Sequence, residues 1–497
     1  MTGPLPVETR RCQATRARGF SARRGIAGSA LQNCVTQEIH TAGEFTSLLQ
    51  EAAIVHERSS RETLVERLCR SGLIRSAEVQ HAFLTVPTER FVPEHVAQLG
   101  LEAVYRNEVI VTLKDQHGAP LSSSSQPGLM AQMLEHLHLT PGLQVLEIGA
   151  GTGYNAALLA ELVGPQGRVV TLDVDPTVAA RARQHLADGG HRAEVVVGDG
   201  IEGWPAAAPF DRIIVTATPP HIPRAWLEQL RPGGLLEVPM MLGRGGAVVT
   251  VVATLQRVGS EFVSRGIMPG AFMPFRSNGR VPPRPSGWSL GWYDTDGRHR
   301  GHSGYVAGNG LRRLSAAAKR RLLSGLLQAR PHHVKIRKAA GLGLQLYLVC
   351  AAPSEQLVFV LSRMTQNIGL IDDRGNLALV RHGWGRRGVA PTTRVDRYGD
   401  QGGAGESLLA IIEAWEALDR PGLDRFEVRV GFGRYPKGAT WRLYYGGESR
   451  VGVSLLATQG SHKHEFAEGN RSSRQVTQPS TPDRCGCRVP VISASGG

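Results

Sequence analysis

The stretch Val145-Leu-Glu-Ile-Gly-Ala-Gly-Thr-Gly-Tyr154 sets three glycines at alternate positions, just after a carboxylate. Gly149, Gly151 and Gly153 let the backbone turn tightly and let a ligand approach without a Cβ in the way. The run that follows, Ala156–Val163, reads as a helix whose first amides and positive dipole end point at the same spot. Taken alone, the loop fits a dinucleotide, a flavin, a sulfonium nucleoside or an empty tight turn. Its spacing narrows the choice. Dinucleotide loops run G-x-G-x-x-G and seat a pyrophosphate on the helix. Here the spacing is G-x-G-x-G, and Glu147 stands where it would repel a pyrophosphate but suit a ligand carrying an ammonium and a sulfonium.

Two further acids sharpen the reading. Asp173 ends the next strand-like run, where a carboxylate can accept both hydroxyls of a ribose. Asp199-Gly200 ends the third, where an acid can accept from an adenine amino group and the glycine amide can serve a ring nitrogen. Each acid alone is ordinarily a strand-end or helix-cap residue. Acids at the tips of successive strands describe S-adenosyl-L-methionine well and NAD poorly, so the expected cofactor is S-adenosyl-L-methionine, held by Glu147, Gly149, Gly151, Gly153, Asp173, Asp199 and Gly200. The fourth strand leads into "IIVTATPPHIP" (Ile213–Pro223). It lacks the Asn/Asp-Pro-Pro-aromatic loop that holds an exocyclic amine, which argues against methylation of nucleic-acid bases.

The elements that must position these residues alternate regularly. Short apolar runs at Val145–Ile148, Val169–Leu172, Glu194–Val197, Arg212–Val215, Leu235–Val238 and Val248–Val252 read as strands. Helical runs at Ala156–Val163, Thr177–Ala187 and Ile222–Leu230 fill the first gaps. Continuous apolar strands of this length belong in a parallel sheet covered on both faces. The expected fold class is α/β, a doubly wound Rossmann-like class I methyltransferase domain over 57–270 with an N-terminal helical segment. In that segment "RETLVERLCRSGL" puts Leu64, Val65 and Leu68 on one face, and Gly72 can close the helix. "NEVIVTLKDQHGAPLSSS" (Asn107–Ser124) looks like a strand, a turn at "DQHG" and a return. Beyond a linker at 271–300, residues 301–456 read as a smaller C-terminal α+β module. Its strand candidates are "HHVKIRKA", "LQLYLVCA", "QLVFVLSR", "FEVRVGF" and "TWRLYYG", and its helix is "ESLLAIIEAWEAL". Residues 1–56, with an arginine-rich look that a transit peptide shares, read as a disordered leader or an early start codon. Residues 457–497 read as a disordered tail.

Composition bounds the partners. The chain has 497 residues and a formal charge of +14. Only six of its 57 basic residues are lysine, which fits a GC-rich coding bias, and they are scattered rather than gathered on one face. A nucleic-acid partner is therefore not expected. The longest apolar runs are strand-length, so no membrane partner is expected either. Among Cys12, Cys34, Cys69, Cys350, Cys485 and Cys487 no spacing suits zinc or a disulfide framework, so no metal is expected and a reducing cytoplasm is.

Over residues 60 to 255 the sequence resembles the protein-L-isoaspartate (D-aspartate) O-methyltransferase family. The resemblance rests on "VPTERFVPE", "SSQP" before an apolar helix, "VLEIGAGTGYNAALLAELVG", "GDGIEGWPAAAPFDRIIVTATPPHIP" and "LRPGGLLEVPM". It implies S-adenosylmethionine-dependent O-methylation of L-isoaspartyl residues in damaged proteins, a protein repair activity. It also implies that Ser125, in Ser125-Gln126-Pro127, lies at the reacting carboxylate, with Ser124, Gln126, Pro127 and Val238 bordering the substrate. The chemistry is consistent with a site that has no general base, because a carboxylate is already ionised at neutral pH. Two features depart from the family pattern, the longer link Asn107–Ser124 and the appended module. Extended relatives of an actinobacterial type imply an alternative, aspartyl O-methylation that installs an aspartimide in a ribosomally made precursor peptide. Under either reading the partner is a peptide or protein carboxylate. Other readings are a peptide-binding or assembly protein with vestigial catalysis, opposed by the intact Glu147, Asp173 and Asp199, and an RNA methyltransferase, opposed by the missing amine-holding loop.

Overall fold

The structure, a computed structural model, describes residues 59–116, 118, 120–277, 289–292, 304–328, 332–336, 341–362, 365–382, 393–399 and 403–457. The leader and the tail from 458 onward lie outside them, with Cys12, Cys34, Cys485 and Cys487. Helix α1 covers residues 59–70 and ends at Gly72, whose φ of 70° few other residues tolerate. Helix α2 (Ala77–Thr85) follows, capped by the Ser76 side chain accepting from Val79 N. Short helical turns at Pro93–Leu99 and Leu101–Val104 lead into a two-stranded hairpin, β1 (Ile110–Lys114) and β2 (Pro120–Ser124). The expected strand, turn and return is therefore present.

The chain then alternates. Helix α3 (Pro127–Leu137) starts with proline at its first position, where the missing N–H costs nothing. After it come β3 (Gln144–Ile148), α4 (Tyr154–Val163), β4 (Arg168–Asp173), α5 (Pro176–Asp188), β5 (Glu194–Val197), β6 (Phe210–Val215) and α6 (Arg224–Gln229). Strands β4 and β6 both pair with β3 in parallel, and β5 pairs with β4. The strand order thus reverses between β3 and β6, and in open α/β sheets ligands bind at the carboxyl ends of strands beside such a switch point. The class I, Rossmann-like architecture expected from the sequence is the architecture found.

The last strands of this sheet are longer than their apolar cores. The expected strands at Leu235–Val238 and Val248–Val252 are the centres of β7 (Leu230–Arg244) and β8 (Ala247–Val258), a hairpin turned by Gly245 and Gly246 at φ 62° and 91°. Strand β9 (Glu261–Pro269) pairs with β8.

Downstream lie β10 (Ser289–Trp292), β11 (Gly304–Ala307), α7 (Ala316–Gln328), β12 (His332–Lys335), α8 (Leu342–Ala351), β13 (Leu357–Ser362), β14 (Thr365–Ile371), β15 (Leu377–His382), β16 (Thr393–Tyr398), α9 (Ala404–Ala417), β17 (Phe426–Phe432), β18 (Trp441–Tyr444) and β19 (Ser449–Leu455). Strands β10 to β16 build a seven-stranded sheet, whereas β17, β18 and β19 join the first sheet, giving ten strands in the order β18-β19-β17-β9-β8-β7-β6-β3-β4-β5. One sheet therefore crosses the boundary drawn from sequence between 57–270 and 301–456. The described residues up to Leu456 cluster as one unit.

"LQLYLVCA" is a helix, not the strand that its apolar run implied. Gly343 to Cys350 are buried all round, and their core cluster holds residues of both sheets, such as Val249 and Leu370. A helix covered on every side has no polar face, so its sequence lacks the 3.6-residue signal. Helix α7 covers the other face of the second sheet through Leu322 and Ala318.

Candidate active site

The glycine turn connects β3 to α4 at the switch point. Gly149 and Ala150 both donate to Leu172 O, at 2.7 and 3.1 Å, which ties the turn to the end of β4. The turn needs glycine for two separate reasons. At Gly149, φ is 102° and a Cβ would run into Thr216 Oγ1. At Gly151, φ is 53° and a Cβ would sit 3.2 Å from Ser123 O, on the hairpin strand that lies over the turn. Gly153, at φ 87°, does not line the cleft. A Cβ there would meet Ala182 O of α5 at 3.1 Å, so this glycine lets two helices approach.

Around the turn is an open cleft, at the place where open α/β sheets bind their ligands. The hairpin contributes Leu121 to Ser124, and Ser125 follows. Glu147, Gly149, Gly151 and Asp173 line it from the sheet tips, Gly200 from the end of β5, and Thr216 and Ala217 from the end of β6. A fourth wall consists of Met273, Pro274, Phe275 and Arg276, residues that the sequence placed in a linker.

The two acids at the cleft are held differently. Glu147 is fully buried with neutral partners. Its Oε1 accepts from Asn155 Nδ2 at 2.8 Å and its Oε2 from Thr171 Oγ1 at 2.6 Å. Burial pushes its carboxyl up to about 7, against the pull of those two bonds. Asp173 accepts from Gly151 N at 3.3 Å and from Asp175 N at 3.0 Å. Burial raises its pKa too, while those amides and the nearby Arg276 oppose the rise.

Not every residue chosen from sequence lies at the cleft. Asp199 points into the loop beside it: Oδ2 accepts from Ser277 Oγ at 2.5 Å and Oδ1 from Ile201 N at 3.0 Å. Gly200 takes its place in the lining, packed so closely that a Cβ would lie 2.7 Å from the Phe275 ring. Gln126 Nε2 donates to Asn107 O at 3.1 Å, away from the cleft, and Pro127 is buried at the start of α3. Val238 is fully buried in the core cluster that contains Trp226, because alternate residues of β7 face that core.

Other cleft residues were not among those chosen from the sequence. Tyr154 is fixed by rings from the N-terminal segment, with Phe91 at 5.5 Å and Phe83 at 6.3 Å between centroids. That segment is itself tied together: Arg61 donates to Glu89 Oε1 at 2.9 Å and to Tyr105 OH at 3.0 Å, and Tyr105 OH donates to Glu89 Oε2. Arg276 crosses the cleft mouth, donating to Leu121 O at 3.2 Å and standing 3.5 Å from Asp175 Oδ2. A basic residue in a proline-rich run gives no hint that it will meet a strand 155 positions earlier.

The cleft fits the cofactor that the sequence reading proposed. Bare backbone at Gly149 and Gly151 leaves room that a Cβ would fill. A carboxylate buried among neutral donors suits a ligand bearing positive charge, and a strand-tip carboxylate such as Asp173 has the acceptors that hydroxyl donors need.

The sequence profile of the family described as protein-L-isoaspartate(D-aspartate) O-methyltransferase matches residues 59–278. A protein-L-isoaspartate O-methyltransferase of Hyperthermus butylicus is 40% identical over 226 residues, spanning 44% of this chain and 88% of the relative. One from Ignicoccus hospitalis is 38% identical over 219 residues, 44% of this chain and 97% of the relative. One from Methanopyrus kandleri is 45% identical over 185 residues, 37% of this chain and 77% of the relative.

Proposed function

We propose that this chain, which belongs to the protein-L-isoaspartate(D-aspartate) O-methyltransferase family, methylates the free carboxylate of L-isoaspartyl residues in proteins and peptides with S-adenosyl-L-methionine as donor. The observation that carries the reading is the cleft itself: a glycine turn, two acids and the serine run Ser122 to Ser125 line one space. When bound, S-adenosylmethionine supplies a methyl group on a sulfonium, open to in-line displacement by a carboxylate oxygen. Asp173 would accept from the ribose hydroxyls. Glu147, through Asn155, would fix the turn beneath the amino-acid end. The Ser125 hydroxyl would donate to the substrate oxygen that does not attack, setting the trajectory of the one that does. The hairpin and the Met273–Arg276 strap would exclude water. Positioning and desolvation are the principal demands of this reaction, and the site supplies both without a general base.

The donor set supports the cofactor, and names shared by relatives aligned over most of their length support the substrate. Among the described residues no helix is long and apolar enough to cross a membrane. The cytoplasmic setting expected from the sequence is retained as part of this proposal. The test is to incubate the full chain with methyl-labelled S-adenosylmethionine and two peptides differing only in an isoaspartyl or an aspartyl linkage. Base-labile label on the isoaspartyl peptide alone is expected. Label on the aspartyl peptide, or on neither, would overturn the substrate assignment.

A further inference from the structure

The family profile ends at residue 278, yet a tyrosine far beyond it is built against the loop that directly follows the cleft residues Thr216 and Ala217. Tyr445 follows β18 and is 6% exposed. Its hydroxyl accepts from Met241 N at 3.2 Å and donates to Pro219 O at 3.2 Å, with Pro239 O at 3.5 Å. The next two residues seat the same loop. A Cβ on Gly446 would lie 2.7 Å from Pro220 O, and one on Gly447 would lie 2.8 Å from the His221 ring. Arg224, at the loop's far end, lies over the Phe432 ring at 5.3 Å and reaches Glu448 Oε2 at 3.3 Å. The loop Pro219–Arg224 is thus clasped by Phe432 and by Tyr445 to Glu448.

The residues just before that loop belong to the active site. Thr216 and Ala217 line the cleft. Thr218 holds the strap over it: Thr218 N donates to Met273 O at 2.8 Å, Phe275 N donates to Thr218 O at 2.9 Å, and Thr218 Oγ1 donates to Phe272 O at 3.0 Å. From Tyr445 the bonded path is therefore short: Pro219, then Thr218, then the strap carrying Phe275 and Arg276. We infer that Tyr445 is a positioning residue for the cofactor site, and that the C-terminal strands complete that site by fixing the Pro219 carbonyl. The inference rests on the function proposed above.

The test uses the full chain and isothermal titration with S-adenosylhomocysteine, together with thermal melting and initial rates on an isoaspartyl peptide. Tyr445→Phe keeps the ring and removes the hydroxyl. It is expected to weaken S-adenosylhomocysteine binding about fivefold, roughly the effect of one lost buried hydrogen bond, with the peptide KM unchanged. Val358→Ala, in the separate core of the second sheet, is the control: it lowers the melting temperature and keeps the wild-type affinity. Wild-type affinity in Tyr445→Phe overturns the inference, as does equal weakening in Val358→Ala, which would make the effect one of general stability. Should Tyr445→Phe fail to fold, Gly446→Ala carries the same expectation by pressing on Pro220, and wild-type affinity there overturns the inference. A wild-type chain that binds no S-adenosylhomocysteine would instead sink the proposed function.

Discussion

Glu147 is the residue whose chemistry can be read most directly. Its carboxyl, raised by burial from an ordinary 4.5 to about 7, ionises more readily in the unfolded chain. It therefore opposes folding increasingly as pH rises from 4.5 towards 7. A ligand carrying positive charge pulls the same pKa down. Cofactor affinity is accordingly expected to be full above pH 7 and to fall, by up to about tenfold per unit, as pH drops below it. Calorimetry at pH 7 in buffers of different ionisation enthalpy should show proton release on binding, and Glu147→Gln should abolish it. Ser125→Ala is expected to lower kcat about tenfold or more with cofactor affinity unchanged, since the proposed role of this donor is on the substrate alone. Unchanged turnover would leave Ser125 as a turn residue before Pro127. The sequence showed the glycines because positive φ and bare backbone limit residue type. It did not show the direction of Asp199, which depends on Ser277 reaching it from 78 positions away. Val238 could not be placed either, since pocket-facing and core-facing positions on a fully buried strand are both apolar.

At the scale of elements, the site is a glycine turn enclosed by a hairpin and a strap. The turn and its strands were legible because each is a local pattern: a short apolar run, then glycines, then a helix. The strap was not, since Phe272 to Ser277 have no period and their partners are Thr218, Asp199, Asp175 and Leu121. Arg276 bridges β2 and the loop after β4. Arg276→Ala should therefore speed S-adenosylhomocysteine dissociation several-fold in stopped-flow measurements while shifting stability by less than about 1 kcal/mol, as partly exposed pairs do. An unchanged dissociation rate would show that the strap stays closed without it. Helix α8 teaches the converse lesson. A run buried on every face loses the periodicity that distinguishes helix from strand, so only tertiary structure settles it.

At the scale of the whole molecule, the ten-stranded sheet joins two parts that composition separated. Strand β17 pairs with β9 through Arg429↔Val263 and Val430↔Phe262, and Val428 N donates to Ser264 Oγ at 2.8 Å. A chain ended at residue 278 would leave β9 as an unpaired edge. Such a fragment is expected to self-associate or melt well below the full chain, as light scattering and calorimetry would show. A monomeric fragment with the full chain's melting temperature would show that the C-terminal strands are dispensable to the fold. The central claim is that one cleft holds a sulfonium nucleoside at Asp173, over a turn fixed by Glu147, and presents an isoaspartyl carboxylate at Ser125. Its most direct test is a crystal structure of the full chain with S-adenosylhomocysteine and an isoaspartyl peptide. The expected result is ribose hydroxyls on Asp173 and the peptide carboxylate within hydrogen-bond distance of Ser125 Oγ, facing the sulfur. A nucleoside bound elsewhere, or a carboxylate held away from Ser125, would contradict it.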